Sequence, residues 1–184
     1  YQVTIFDHIH STWLREDQDM VVGDVLDTEA LERTIEGAKF VYNFAALADL
    51  NQALNQPIKT VKINILGNLN VLEACRIHNV ERFIYASTVY VHSREGSFYR
   101  CSKQSSEYYI EEYQKVYDLD YTILRYGSLY GPRADDTNGM YRIVSSALKT
   151  GKVQYKGDIE SMREYIHVDD AARASISVLD ESFK

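Results

Sequence analysis

A tyrosine and a lysine that could act as one base, Tyr99 and Lys103, stand four residues apart in the sequence. In a helix this spacing places both side chains on one face, about 6 Å apart along the axis. A free phenol, with a pKa of about 10, is a poor base at pH 7, but an adjacent ammonium favours the phenolate. Lowering that pKa to about 7 takes roughly 4 kcal/mol of differential stabilisation. Such a pair can take the proton of an alcohol while hydride leaves its carbon.

This two-residue motif is weak by itself, because the chain holds 15 tyrosines and chance pairs are expected. The alternative interpretation is a packed aromatic ring beside a solvated lysine. Position favours the catalytic interpretation, since Thr88 ends an apolar run eleven residues before Tyr99. The Thr88 hydroxyl could donate to a substrate oxygen and hold it beside the phenol.

The elements that must position these residues alternate along the chain. Apolar runs at 3–6, 20–23, 39–44, 82–87 and 121–126 predict strands buried on both faces, as in parallel sheets. Helical patterns lie at about 28–36, 57–79, 99–117, 139–150 and 169–179. This alternation predicts an α/β fold with a doubly wound parallel sheet, Rossmann-like.

Several residues predict how the helices begin, end and pack. Asp27 or Thr28 and, later, Asp169 are candidate N-caps, Pro57 suits a first helical position, and Gly151 suits a helix end. One apolar face is predicted for the helix from Pro57, formed by Ile58, Val61, Ile65, Leu69, Leu72 and Cys75.

Ligands of such sheets bind outside the carboxyl ends of the strands. Asp7 follows the first strand, where a carboxylate can bond the ribose hydroxyls of a dinucleotide; a solvated turn aspartate is the alternative. Asp24 follows the second and could bond an adenine amine or simply occupy a turn. Ala45 and Ala46 follow the third, where small side chains permit close backbone approach or tight packing.

Composition excludes several classes of function. The 184 residues carry 20 Lys and Arg against 27 Asp and Glu, a net charge of −7, which disfavours nucleic acid and anionic membranes as partners. Apolar runs are too short for a membrane span. Two cysteines, Cys75 and Cys101, predict neither a disulfide framework nor a metal cluster, and they suit a reducing, cytoplasmic location.

Eight ordered motifs resemble the extended short-chain dehydrogenases/reductases, specifically the NAD-dependent epimerase/dehydratase family acting on nucleotide sugars. They are Asp7 at a strand end, G-D-V-x-D from Gly23, N-x-A-A from Asn43, N-I-L-G-x-x-N-V-L-E-A from Asn64, Ser87-Thr88, Y-x-x-S-K from Tyr99, L-R-Y-x-x-x-Y-G-P-R from Leu124 and R-E-Y-I-H-V-D-D-A-A from Arg163. The set covers nearly the whole chain and is far more specific than any single motif.

The resemblance implies a role for each matching position. Tyr99 would be the catalytic base, Lys103 would bind the nicotinamide ribose and lower the pKa of Tyr99, and Thr88 would hold the substrate hydroxyl. The cofactor NAD would also contact Asp7, Asp24, Val25, Ala45, Ala46, Tyr126 and Ser128. Arg163 would grip the diphosphate of the nucleotide sugar, Asn64 would support the site, and His167 would be structural.

The sequence departs from the family pattern at three points. No G-x-x-G-x-x-G phosphate loop occurs among the nine glycines, so we expect about 25 further N-terminal residues, with the family's first strand, in the parent protein. The segment between Thr88 and Tyr99 is short. Val89 and Tyr90 stand where dehydratases of the family carry an Asp-Glu pair, which removes the acid and base needed for water loss.

These observations predict a nucleotide-sugar epimerase or a related NAD-dependent oxidoreductase of carbohydrate metabolism. Residues 1–132 would form an N-terminally incomplete dinucleotide-binding domain, and 133–184 part of a substrate-binding lobe with a returning helix. A homodimer through helices 57–79 and 99–117 is implied by the resemblance. The alternatives are a non-catalytic sensor domain of the same fold, a nucleotide-sugar dehydratase or reductase, and an inactive remnant.

Overall fold

The computed structural model describes residues 1–153, 160 and 162–183. Two compact units, Tyr1–Leu124 and Arg125–Phe183, are considered one at a time. The unit boundary follows Leu124, whereas the predicted functional domains meet between residues 132 and 133. The functions assigned to 1–132 and 133–184 stay predictions.

Parallel strands form two separate sheets in the first unit. Strands β1 (Val3–Asp7) and β2 (Gln18–Val22) pair in parallel, with Asp7 beside Val22. A second sheet has the order β3 (Phe40–Asn43), β4 (Arg82–Thr88) and β5 (Tyr121–Tyr126), which runs past the unit boundary. All five predicted strands are present, and the fold is the predicted Rossmann-like α/β fold.

Burial of the strands follows the prediction in β4 and not in β1 or β2. Only Ala86 of β4 is not buried, whereas every residue of β1 and β2 is exposed or half-buried. The prediction of burial on both faces is therefore wrong for the first sheet. The core lies instead around β4, with buried Leu31, Ile35, Val71, Leu72, Ala74, Cys75, Val80, Phe83, Tyr85, Ile110 and Leu119.

The first helices begin at residues with clear capping chemistry. Helix α1 (Thr28–Ile35) is capped by Asp27, whose side chain accepts a hydrogen bond from the backbone N–H of Ala30. Helix α2 (Leu50–Asn55) is capped in the same way by Asp49. The sequence pattern predicts α1 but not α2, which is only six residues long.

The predicted helix 57–79 is divided into three segments. Helix α3 (Pro57–Thr60) begins at the proline as predicted, a π segment covers Val61–Leu66, and helix α4 (Gly67–Ile77) follows. The predicted single apolar face is wrong at its beginning, because Ile58 is 70% exposed and Val61 50% exposed. The wider turn of a π segment rotates the following side chains about the axis, so a period of 3.6 does not continue through it.

Helix α5 (Ser97–Tyr117) carries the tyrosine and lysine of the proposed base. It begins two residues before the predicted start, after Gly96, whose φ of 91° lies in the left-handed region. A short 3₁₀ turn, Val89–His92, connects β4 to it. The compact connection between Thr88 and Tyr99 is thus partly helical.

The second unit contains a small parallel pair of strands and two helices. Strand β6 (Ser128–Tyr130) pairs with β7 (Tyr165–His167). Helix α6 (Gly139–Thr150) ends at Gly151, which has a φ of 68°, as predicted. Helix α7 (Val168–Ser177) is capped by His167 rather than by the predicted Asp169, because His167 Nδ1 accepts the Asp169 N–H at 3.2 Å.

Across the described part of the chain, every helix is too short or too polar to cross a lipid bilayer.

Candidate active site

Lys103 is buried against the end of β4. Only 2% of the residue is exposed, and its Nζ donates a hydrogen bond to the Ala86 carbonyl at 2.7 Å. The same nitrogen lies 4.5 Å from the centre of the Tyr85 ring and 5.8 Å from that of Tyr99. Lys103 and Tyr99 therefore lie on the same face of α5, as predicted, and the lysine is bonded to the strand end.

Burial acts on the charge of both members of this pair. It lowers the pKa of Lys103 to about 7, against an opposing effect of Glu107. It also raises the pKa of Tyr99 to about 12, with a further contribution from Tyr90. The predicted lowering of the Tyr99 pKa is not found in the chain alone, because loss of water disfavours the phenolate and the neighbouring Tyr90 adds to this effect.

Thr88 is the buried last residue of β4, two positions after the carbonyl that holds Lys103. Its Oγ1 accepts a hydrogen bond from the Tyr90 N–H at 3.3 Å. The hydroxyl hydrogen is not used by that bond, so it can be donated to a ligand. The strand end thus brings a hydroxyl donor into the region of the lysine.

Asn64, in the π segment, connects the loop after β3 to helix α5. Its side chain accepts from the Leu47 N–H at 2.7 Å and donates to Ser102 Oγ at 2.9 Å. Ser102 in turn donates to the Tyr99 carbonyl at 2.7 Å. The Asn64 carbonyl also accepts from Ser106 Oγ at 2.9 Å. Asn64, which is almost fully buried, thus joins these segments, and its supporting role at the site stays a prediction from the resemblance.

The candidate adenosine contacts lie at the carboxyl ends of β1 and β2. Asp7 and Asp24 are exposed there, and the Gly23 N–H bonds the Asp7 carbonyl at 2.9 Å. Each carboxylate also accepts a nearby backbone N–H, from Ile9 at 3.1 Å and from Leu26 at 2.9 Å. These are turn contacts, and each uses one carboxylate oxygen. The predicted positions at the strand ends are confirmed, and ligand contacts stay a prediction.

Val25 follows β2, and Ala45 and Ala46 follow β3. Val25 is half-buried against Gly67, where an added Cβ would come within 2.7 Å of Val25 Cγ2. Ala45 is exposed after β3, and its N–H bonds Asn43 Oδ1 at 3.1 Å. Asn43 is itself fixed by Asn68, at 2.8 Å. The exposed Ala45 is therefore held by a buried amide pair, and contact of Ala45 or Ala46 with a ligand stays a prediction.

The remaining predicted residues belong to the second unit. The Tyr126 hydroxyl lies 2.6 Å from Ser175 Oγ of α7, and Ser175 donates to the Ala171 carbonyl. Ser128 begins β6, where its N–H bonds the Glu164 carbonyl at 2.8 Å. Arg163 is exposed just before β7. Tyr126 thus has a structural contact that the sequence did not predict.

Sequence reasoning missed Glu107, which is buried one turn beyond Lys103 and bonded to Ser87. Its spacing from Tyr99 and Lys103, eight and four residues, was the available signal. Within the described ranges, no cluster of three or more His, Cys, Asp or Glu side chains is arranged to hold a metal ion.

Comparison with known proteins decides the family. The sequence model of the NAD dependent epimerase/dehydratase family matches residues 1–184. The chain belongs to this family. The match includes every candidate site residue.

Relatives with known names include 4-epimerases of UDP-sugars and 4,6-dehydratases of dTDP-glucose. The chain is 26% identical over 201 residues to a putative UDP-glucose 4-epimerase of Methanocaldococcus jannaschii, covering 98% of this chain and 66% of that protein. It resembles the UDP-glucose 4-epimerase of Thermotoga maritima, solved with UDP-glucose, with 28% identity and a TM-score of 0.88 over 98% of this chain and 66% of that one.

A third epimerase was solved with NAD. The UDP-glucose 4-epimerase of Thermus thermophilus has 29% identity and a TM-score of 0.79, over 96% of this chain and 66% of its own. The chain thus spans just under two thirds of the length of each of these three relatives.

Proposed function

We propose that this family member is the catalytic part of an NAD-dependent nucleotide-sugar epimerase or related oxidoreductase, with Tyr99 as the proton acceptor. The observation that carries the proposal is the position of Lys103. A lysine is seldom so fully buried, and this one lies against the ring of a tyrosine one helical turn away. Perturbed groups of this kind concentrate at functional sites.

The residues of the first unit fit the two ends of NAD. Exposed carboxylates at the ends of β1 and β2, from Asp7 and Asp24, suit the ribose and adenine of the adenosine half. Ala45 and Ala46 allow the backbone to approach the cofactor. Lys103 uses one of its three N–H bonds on Ala86, so the others can reach a nicotinamide ribose. The given sequence contains no glycine-rich loop for the pyrophosphate. The argument that NAD fits therefore rests on contacts to its adenosine half and its nicotinamide ribose.

NAD, when bound, accepts hydride from a sugar carbon and can return it. The chain's own residues handle the proton. Thr88 donates its hydroxyl hydrogen to the sugar oxygen and orients it, and Tyr99 removes the proton. A charged Lys103 favours the phenolate, and this effect strengthens in a site from which water is excluded. Arg163, exposed before β7, is proposed to bind the diphosphate of the substrate.

Epimerisation is favoured over dehydration by Val89 and Tyr90. A dehydratase needs an acid and a base beside the threonine, and these two residues provide a hydrocarbon and a phenol in the 3₁₀ turn. A non-catalytic sensor of the same fold is the second candidate. A sensor would not require a charged side chain such as Lys103 to be buried, so the enzyme is the preferred proposal.

A Tyr99→Phe variant tests the proposal. Removing the hydroxyl should lower kcat for interconversion of UDP-sugars with added NAD by about 10²–10⁴-fold, because the proton has no other acceptor. Turnover is followed by separation of the two epimers, without net reduction of nicotinamide.

The matched control is Tyr109→Phe, since Tyr109 is on the same helix and 44% exposed. It should keep full turnover. Full turnover in Tyr99→Phe would refute the assignment of the base, and binding of NAD without interconversion in the unaltered chain would support the sensor.

We also propose a homodimer. Helix α5 exposes Tyr108, Tyr109 and Val116 on one side, and the segments packed against it expose Ile58 and Val61. Apolar side chains on packed helices suit contact with a second copy.

A cytoplasmic location is proposed as well, because Cys75 and Cys101 are both free thiols.

A further inference from the structure

Glu107 is a buried carboxylate that the proposed function does not use. It is 6% exposed, which is rare for an acidic residue without partners. Its Oε1 accepts a hydrogen bond from Ser87 Oγ at 2.5 Å. Ser87 directly precedes Thr88 in β4, so this bond fixes the helix to the strand end of the candidate active site.

Two consecutive residues of strand β4 are therefore hydrogen-bonded to helix α5. Lys103 donates to the carbonyl of Ala86, and Glu107 accepts from the hydroxyl of Ser87. Tyr99, Lys103 and Glu107 follow one another at intervals of one helical turn, so they share a face of α5. The carboxylate is the last member of a series that begins with the proposed base.

The groups around Lys103 differ in charge. Tyr85 faces it from β4, and Tyr99 and Glu107 face it from its own helix. Burial raises the pKa of both phenols, which are therefore neutral at pH 7. Among these described neighbours, Glu107 is the one with an acidic side chain. In a site with little water, its attraction for an ammonium is weakly screened.

We propose that Glu107 is a positioning residue for Lys103: its carboxylate, fixed by Ser87, keeps the buried amine charged and in place beside Tyr99. This inference rests on the proposed function, because a neutral amine there would not favour the phenolate. It adds a group that acts through the lysine and touches neither substrate nor cofactor. Burial without this carboxylate would lower the pKa of Lys103 still further, because the value of about 7 already includes the opposing effect of Glu107.

The test is a titration of Lys103 by NMR in the full chain labelled with ¹³C at the ε carbon of lysine. The Lys103 signal is identified by its loss in Lys103→Met. In Glu107→Gln, which keeps the size of the side chain and removes its charge, the midpoint should fall by at least about one pH unit, a tenfold smaller ratio of charged to neutral amine at a fixed pH. Glu111→Gln is the matched control and should leave the midpoint unchanged, since Glu111 lies two turns from Lys103, about 12 Å.

A second variant separates charge from contact. Glu107→Leu suits a buried helical position and cannot bond Ser87, so it should lower the Lys103 midpoint as much as Glu107→Gln. An unchanged midpoint in both variants, or a change in Glu107→Leu alone, overturns the proposal. Failure of both to fold, seen by circular dichroism, would make Glu107 a structural residue and overturn it too.

This experiment needs neither NAD nor a sugar, so it is independent of the Tyr99→Phe assay. A lowered Lys103 midpoint together with full turnover in Tyr99→Phe refutes the proposed base and leaves the electrostatic link in place. An unchanged midpoint with inactive Tyr99→Phe refutes the link alone.

Discussion

Lys103 places an amine where the surrounding protein opposes its charge. Burial lowers the pKa of this side chain from its ordinary value of 10.5 to about 7. Between these two values the unfolded chain holds a proton on Lys103 that the folded chain has released. Because the unfolded state then binds more protons, the free energy of unfolding rises with pH across this window, and the full destabilising effect is present below pH 7.

Lys103→Met should remove this pH dependence. From about pH 7.5 to about pH 9.5, the free energy of unfolding of the unaltered chain should rise, relative to the variant, by about 1.4 kcal/mol per pH unit. Urea denaturation of both proteins at several pH values measures the difference. Other titrating groups are shared and cancel, so a difference that stays constant with pH would show that Lys103 keeps its proton.

At the scale of single residues, the sequence predicted the pair and not its environment. The spacing of Tyr99 and Lys103 placed both on one helical face, and Lys103 Nζ indeed lies 5.8 Å from the Tyr99 ring. The effect of burial on both pKa values could not be read from spacing, because it depends on how much water the fold excludes. The contact of Glu107 with Ser87 joins residues 20 positions apart, which no local pattern reveals.

Among the elements, the π segment is where sequence periodicity failed. The apolar spacing predicted one regular helix from Pro57, yet the structure exposes Ile58 and buries the polar Asn64. One additional residue in a turn rotates the following side chains by about 100°. This rotation brings an asparagine to the interior, where it bonds Leu47 and Ser102. The π segment thus places a polar residue in the interior at the candidate site, which the apolar pattern did not predict.

The start of α4 packs closely on the loop after β2. Adding a single methyl group at Gly67 therefore tests how tight this contact is. In Gly67→Ala, helix propensity favours alanine by about 1 kcal/mol. The new Cβ, however, would lie 2.7 Å from Val25 Cγ2, and valine has little rotamer freedom. Crowding of this kind costs about 1–3 kcal/mol, so we expect a net loss of stability in urea denaturation.

Val25→Ala provides the control for this prediction. Without the valine methyls the remaining approach is 3.3 Å, to Val25 Cβ, and Gly67→Ala should then become neutral or stabilising. The double-mutant cycle should therefore show a coupling energy between the two positions. Equal effects of Gly67→Ala in both backgrounds would mean that the loop moves aside freely.

At the scale of the whole molecule, the proposed homodimer predicts which exposed residues become buried between two copies. The faces proposed for contact include Tyr108, which is 67% exposed, Val116, 65% exposed, and Ile58, 70% exposed. A stable interface buries about 800 Å² on each partner, which requires several large side chains from more than one helix. The sequence implied these helices through family resemblance alone. The structure adds which of their residues are available.

Charge introduced on this surface should separate the two copies. Sedimentation of the unaltered chain should give twice its mass of 21.2 kDa, and Tyr108→Arg or Val116→Arg should give the monomer mass, because two like charges would meet where apolar groups are proposed to pack. Leu148→Arg is the matched control, since Leu148 is 83% exposed on α6 of the second unit and should leave the dimer intact. A monomer in the unaltered chain would contradict the proposal, as would a dimer that survives both substitutions.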